Sequence, residues 1–190
     1  MNSSLRSDYY GVLSSFLAHE VDFITLRDLK SNKSLLETIG SDAKKWLEAT
    51  SEKEAIDLMS IDFGSLFLLY SQPIEAAIRD NSKEIPTGME NPVMQFYMRH
   101  GYNLKLIDTH LNSPDHLAIE LGFMQALANS DDLVASKGFL EDHLLQWAPS
   151  YLLAQAQAAS TPFYRDFCHF GAEFLVADYD YICERLDAEV

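Results

Sequence analysis

Two pairs in the 190-residue chain place a histidine four residues before a glutamate: His116 with Glu120, and His169 with Glu173. On a helix that spacing sets both side chains on one face, so either pair could supply two ligands to a metal ion. His169 and Glu173 share their face with Asp166 and Asp180, opposite a row of phenylalanines, which is the pattern of a solvated acidic face. His116 and Glu120 fall instead in a band with Phe123 and Leu127, flanked by Leu117, Leu121 and Met124. A histidine and a carboxylate thus stand at the N-terminal end of an apolar stripe. Asp115 and His116 could simply cap the helix and satisfy nearby loop backbone. The functional alternative is a cleft with acidic, hydrogen-bonding groups at one end and an apolar wall beyond, suited to a peptide with a basic head and an apolar tail. A helical metal-binding protein or metalloenzyme built on His116, Glu120 and His143 is the second alternative.

Other enzyme chemistry finds no foothold. The chain has no phosphate loop, dinucleotide fingerprint, nucleophile elbow, H-E-x-x-H or C-x-x-C motif, and none of the Glu-x-x-His pairs of a di-iron bundle. The expected reading is a protein without enzymatic activity, cofactor or metal. Cys168 and Cys183 lie on one predicted helix, about 22 Å apart at 1.5 Å per residue, too far for a disulfide.

Charge narrows the partners. With 14 Lys and Arg against 29 Asp and Glu, the net charge is −15. Such a surface repels phosphate backbones and anionic membranes and favours a cationic partner. At 47% hydrophobic residues the chain can still bury a core. The longest apolar run, Leu66 to Tyr70, falls far short of the roughly 20 residues of a membrane span, and the first residues do not read as an export signal. A cytoplasmic protein with no nucleic-acid partner and no stable membrane insertion is expected.

The elements that would position these residues are helices. Leu and Ala are abundant, and apolar spacings of three and four recur with Pro or Gly at the breaks, which predicts an all-α bundle of about 8–10 helices. The predicted spans are about 4–19, 22–30, 34–39, one capped by Asp42, one opened by Ser51 and running through Tyr70, and 92–100 ending at Gly101. The stretch 80–91 is dense in turn formers and reads as an exposed loop. Ser113 is a ready N-cap with Pro114 at N1, for a helix running to about Ala128. Further helices are expected over 133–147, 150–159 and from Pro162 to the C-terminus. The last carries Phe163, Phe167, Phe170, Phe174, Ala177 and Tyr181 as a buried seam. Asn129 to Asp132 is polar and reads as a hinge, dividing one domain of 190 residues into an N-terminal lobe (about 1–128) and a C-terminal lobe (133–190).

At Ser113-Pro-Asp-His-Leu-Ala-Ile-Glu-Leu-Gly-Phe-Met-Gln-Ala-Leu127 the chain resembles the signature helix of the TorD/DmsD family of redox-enzyme maturation chaperones, related to NarJ. Asp62-Phe-x-x-Leu66-Phe67 is similar to the family's aromatic-x-x-Leu-Phe segment, and Val93 to Gly101 to the helix after its proline loop. Phe139-Leu-x-x-His143-Leu-x-x-Trp147-x-Pro149 and Pro162-Phe-Tyr164 resemble the elements that follow, in the family's order. The chain departs from the family pattern at Asn112-Ser113, where many members have an acidic residue and a proline, and at 85–89, which lacks an aromatic. The resemblance implies an all-helical cytoplasmic chaperone that binds the twin-arginine leader and apo form of a molybdenum-cofactor oxidoreductase, assisting cofactor insertion before Tat export. It implies either a monomer or a domain-swapped homodimer. It also implies a leader site that uses Pro114, Asp115 and His116 with Phe63, Leu66 and Phe67. The helix-face reading adds Glu120, Phe123 and Leu127.

Overall fold

In the computed structural model the described residues are 2–79 and 86–188. They form eleven α-helices and, among these residues, no β-strand beyond a single isolated bridge. The helices are α1 (Ser3–Ala18), α2 (Phe23–Ser31), α3 (Lys33–Ile39), α4 (Ser41–Ala49), α5 (Glu52–Phe63) and α6 (Glu75–Arg79). They continue as α7 (Pro92–Arg99), α8 (Leu117–Asn129), α9 (Leu133–Asp142), α10 (Ala148–Ala158) and α11 (Pro162–Asp187). The all-α expectation holds. The predicted loop at 80–91 is described only from residue 86 onward; residues 80–85 lie outside the described residues.

Contacts gather the chain into two compact units. The first draws on Met1–Ala18, Pro73–Ala148 and Leu175–Val190, the second on His19–Gln72 and Pro149–Phe174. In the first unit α1 packs along α8 and α8 against α9. An aromatic cluster of Phe96, Tyr97, Tyr102, Phe123 and Phe139 fills the space beside α7, with neighbouring ring centroids 4.8 to 6.0 Å apart in mostly edge-to-face contact. Each fully buried ring contributes about 1.5–3 kcal/mol of hydrophobic stabilisation.

The second unit is tied by a carboxylate. Asp62, buried near the end of α5, accepts from the Ser160 and Thr161 amides at 3.1 and 2.8 Å and from the Thr161 hydroxyl at 2.7 Å. It thereby fixes the turn into α11. Beyond Phe63 the expected straight helix gives way to a π-helical stretch, Gly64–Leu69. The wider turn buries Leu66 and Phe67 and leaves Leu68, Leu69 and Tyr70 exposed. The Tyr151 hydroxyl donates to the Ser71 carbonyl at 2.6 Å and covers that end.

Several boundaries follow local caps. Asp22, Ser51 and Asn91 each accept a backbone N–H at the start of α2, α5 and α7. α7 ends in a Schellman motif: Gly101 at φ 70° donates to Met98, and the Tyr102 N–H reaches Tyr97 at 2.9 Å. Others differ from expectation. Asp42 does not cap α4; the distant Asp166 carboxylate accepts from the Asp42 and Ala43 amides at 3.0 and 2.8 Å. That approach needs Gly40, because a Cβ there would lie 2.1 Å from Asp166 Oδ2. The expected helix over 133–147 breaks at His143, and Pro149 lies inside the first turn of α10, where its missing N–H costs nothing. Of the predicted seam on α11, Phe163, Phe167 and Phe174 are buried while Ala177 is exposed.

Candidate functional site

The residues singled out around position 115 sit in the first unit, in a strap that precedes α8. Pro114 holds residue 113 extended, and the chain pairs with Pro73–Glu75 through the Ile74–His116 bridge. The Leu117 N–H donates to Pro73 at 2.8 Å and the Glu75 N–H to Asp115 at 3.0 Å. α8 therefore begins at Leu117, and Ser113 is not its cap. The cap is His116, whose Nδ1 accepts from the Ala118 N–H at 3.2 Å. Asp115, buried, turns to the other partner: its Oδ2 accepts from the Ala76 amide at 2.8 Å and its Oδ1 from the Ser113 hydroxyl. The Pro114 carbonyl accepts from the Tyr97 hydroxyl at 3.2 Å.

Asp115 lines a cavity of about 380 Å³ together with Glu75, Arg79, Asn91, Gln95, Arg99, Asp142 and His143. Glu75 is its electrostatic centre. His143 Nδ1 lies 3.1 and 3.3 Å from the two Glu75 oxygens, and Arg79 Nη1 donates to Oε1. Burial pushes the Glu75 carboxyl up, but the His143 and Arg79 contacts outweigh it and hold Glu75 below the usual carboxylate range. Glu120, fully buried behind Glu75, has the opposite fate. Burial first, then the charges of Glu75 and Asp115, raise it well above the ordinary value, so the fold holds its proton more tightly than water does.

A second, more apolar cavity of about 230 Å³ is lined by Met94, Met98, Gly101, Tyr102, Asn103 and Leu104. α7 borders both: Pro92, Val93, Gln95 and Arg99 face the charged cavity and Met94 and Met98 the apolar one. Arg99 also covers the Phe96 ring at 5.1 Å.

Of the residues expected from sequence, Asp115 lines the charged cavity, while Pro114, His116 and Glu120 form the packed layer around it. Phe123 and Leu127 belong to the core of the first unit, at 1% and 5% exposure, and line neither cavity. Phe63, Leu66 and Phe67 are core residues of the second unit, with Phe63 and Phe67 packed on Tyr164 at 6.3 and 5.6 Å. Sequence reasoning missed Glu75, Arg79, Gln95 and Arg99. The one signal available was the Glu75/Arg79 spacing of four with the acid first, a stabilising helix pair. The metal alternative loses its donor set. His116 Nδ1 is taken by the Ala118 amide, and among the described residues no group of three or more His, Cys, Asp or Glu side chains is disposed to hold a metal ion.

Burial lowers His116 to about 4. The unfolded chain binds a proton near 6.5 and the folded one does not, so stability contributed by neutral His116 is present above 6.5 and is lost as pH falls toward 4. His116→Asn keeps a capping oxygen and removes the titration. Relative to the wild type, the variant is expected to gain about 1 kcal/mol between pH 7 and 5.5, read from urea unfolding at the two pH values.

Fold and site together define an acidic, all-α scaffold with a carboxylate-centred cavity beside an apolar one. Residues 32–152 match the family described as "Nitrate reductase delta subunit", which covers more than half of the chain. The chain belongs to this family, the TorD/NarJ-type chaperones of redox-enzyme maturation. It is 24% identical to the chaperone protein TorD of Aliivibrio salmonicida (strain LFI1238), with 93% of this chain and 94% of that protein aligned. It is 22% identical to the chaperone protein TorD of Shewanella pealeana (strain ATCC 700345 / ANG-SQ1), with 96% and 92% aligned. No solved structure matches the chain at a comparable level of significance. Among the described residues no helix is long and apolar enough to cross a membrane.

Proposed function

We propose that this chaperone binds the twin-arginine leader of a molybdenum-cofactor oxidoreductase in the cytoplasm and holds the apoenzyme until its cofactor is inserted, before Tat export. The observation that carries the reading is the pair of cavities on either side of α7. One offers the Glu75, Asp115 and Asp142 carboxylates, the other methionine and tyrosine side chains. A leader has the matching order of chemistry, a basic head followed by an apolar segment. Methionines suit such a tail because their flexible thioethers adapt to varied apolar shapes. The net charge of −15 speeds encounter with a basic peptide, while the few cavity residues supply selectivity.

A synthetic leader carrying Arg-Arg is expected to bind with micromolar affinity, about −8 kcal/mol, and to weaken as salt rises. Calorimetry with Arg-Arg and Lys-Lys versions tests the charged half; equal affinities would show that guanidinium recognition plays no part. Recovery of the bound polypeptide from the native host tests the client. A partner with a twin-arginine leader and a molybdopterin domain is expected, and any other client class overturns the proposal.

A further inference from the structure

Arg79 occupies the charged cavity much as a ligand would. Its Nη1 donates to Glu75 and, at 3.1 Å, to the main-chain carbonyl of Asp142. The two halves of this contact are built differently. Glu75 is 8% exposed and is held from the far side by His143, whereas the Arg79 side chain is 37% exposed. Asp142 is the last residue of α9, where carbonyls lack intrahelical partners and carry the negative end of the helix dipole. The acceptors therefore belong to the framework of the unit. Glu75 and Arg79 open and close the same five-residue helix α6, but Glu75 is pinned by its amide to the Asp115 carbonyl and by His143 on its carboxylate, while Arg79 ends the helix with its side chain partly in solvent. This is a preformed seat for a guanidinium, filled by a side chain that is itself weakly anchored.

We propose that the Glu75–Asp142 seat receives an arginine of the client's leader, and that Arg79 fills it in the unliganded chaperone and yields it when the peptide arrives. The inference rests on the leader-binding reading above and specifies how that site is regulated. Exchanging one guanidinium for another keeps Glu75 paired throughout, so a buried carboxylate is never stranded. An ammonium is a poorer substitute, because it is more strongly hydrated than a guanidinium and costs more to bring into a half-buried seat. Asp142, whose own side chain is exposed on the cavity, offers a carboxylate to a second arginine. The resident Arg79 also sets a threshold: a stray cation must displace it before reaching Glu75. Apparent affinity is the intrinsic affinity reduced by the fraction of seats that Arg79 leaves open.

Calorimetric titration of the full chain with a synthetic Arg-Arg leader tests this. Arg79→Ala is expected to bind about tenfold more tightly than the wild type. Glu75→Gln is expected to bind weakly, and adding Arg79→Ala to it to gain nothing. Unchanged or weaker binding by Arg79→Ala, or an equal gain in both backgrounds, overturns the proposal. A second readout does not depend on the variants folding. In wild-type protein carrying ¹⁵N-arginine, the Arg79 side-chain resonances are expected to move to the position of a solvated arginine as unlabelled leader is added; resonances that stay put while other arginines on the cavity shift would sink the idea. Failure of the leader reading looks different. If no leader binds the wild type, yet N-acetyl-arginine amide binds Arg79→Ala and not the wild type, the seat stands and its occupant is another arginine-bearing peptide. If neither probe distinguishes the two proteins, the seat falls as well.

Discussion

Asp178→Ala is expected to lower the unfolding free energy by about 3–5 kcal/mol, the cost of stranding a buried charge. Arg6 on α1 and Asp178 on α11 are both fully buried in the first unit, joined by a fork in which Nε donates to Oδ1 at 2.6 Å and Nη2 to Oδ2 at 3.1 Å. The Tyr10 hydroxyl adds a third donor to Oδ2 at 2.7 Å. Removing the carboxylate leaves a guanidinium and a phenol without their acceptor, and no water can reach them without opening the contact between α1 and α11. Asp178→Asn keeps one acceptor oxygen but loses the charge, so a smaller loss is expected. Replacing both partners by apolar residues, as in Arg6→Met with Asp178→Leu, removes the desolvation penalty along with the attraction and should recover most of the loss. Urea unfolding of the three variants at neutral pH gives the comparison. A cost below about 1 kcal/mol for Asp178→Ala would mean that the pair is solvated in solution.

The same contrast between near and far partners explains what could be read in the sequence. Ser51 caps the helix that begins beside it, and Gly101 ends α7 by a rule that needs only neighbouring residues, so both were legible. The capping of α4 was not, because its acceptor, Asp166, is 124 residues away from the amide it receives. Asp62 and Asp115 follow suit: each carries a local pattern, but each also accepts from an amide of another segment. Asp115 and His116 could both be read as caps, but only the structure assigns the cap of α8 to His116, because a neutral imidazole is needed to accept the N–H and the burial that keeps it neutral is a tertiary fact. The site divides the same way. Asp115 stood out within a local motif, whereas Glu75 meets His143 across 68 residues and lies on a helix too short to show periodicity. Phe63, Leu66 and Phe67 were legible as apolar and important, but not as core; for Leu66 and Phe67 the π-helical stretch that turns them inward has no sequence signature of its own.

Glu120→Gln is expected to stabilise the protein progressively as pH rises. Glu120 has no exposed surface, and its oxygens face the Glu75 carboxylate and the Trp147 indole. Burial and the neighbouring charges of Glu75 and Asp115 raise its pKa, so the folded protein keeps a proton that the unfolded chain releases above about 4.5. The sign follows from proton counting. The contribution of neutral Glu120 is fully present below 4.5, and stability is lost as pH climbs from there toward the folded pKa, because the unfolded state binds fewer protons. The slope is about 1.4 kcal/mol per pH unit over that window. Glutamine matches the shape of the neutral acid, can still donate toward Glu75, and cannot ionise in the unfolded chain. At pH 4 the variant and the wild type should therefore differ little, and between pH 5.5 and 7 the variant should gain on the wild type as the pH rises. Urea unfolding at these three pH values isolates the effect, since His116 titrates in both proteins and cancels in the difference. A gap that does not change with pH would place the Glu120 proton in solvent and make this residue a charged member of the cavity. A gap that widens leaves Glu75 and its guanidinium partner as the charged centre, with Glu120 as the neutral layer beneath.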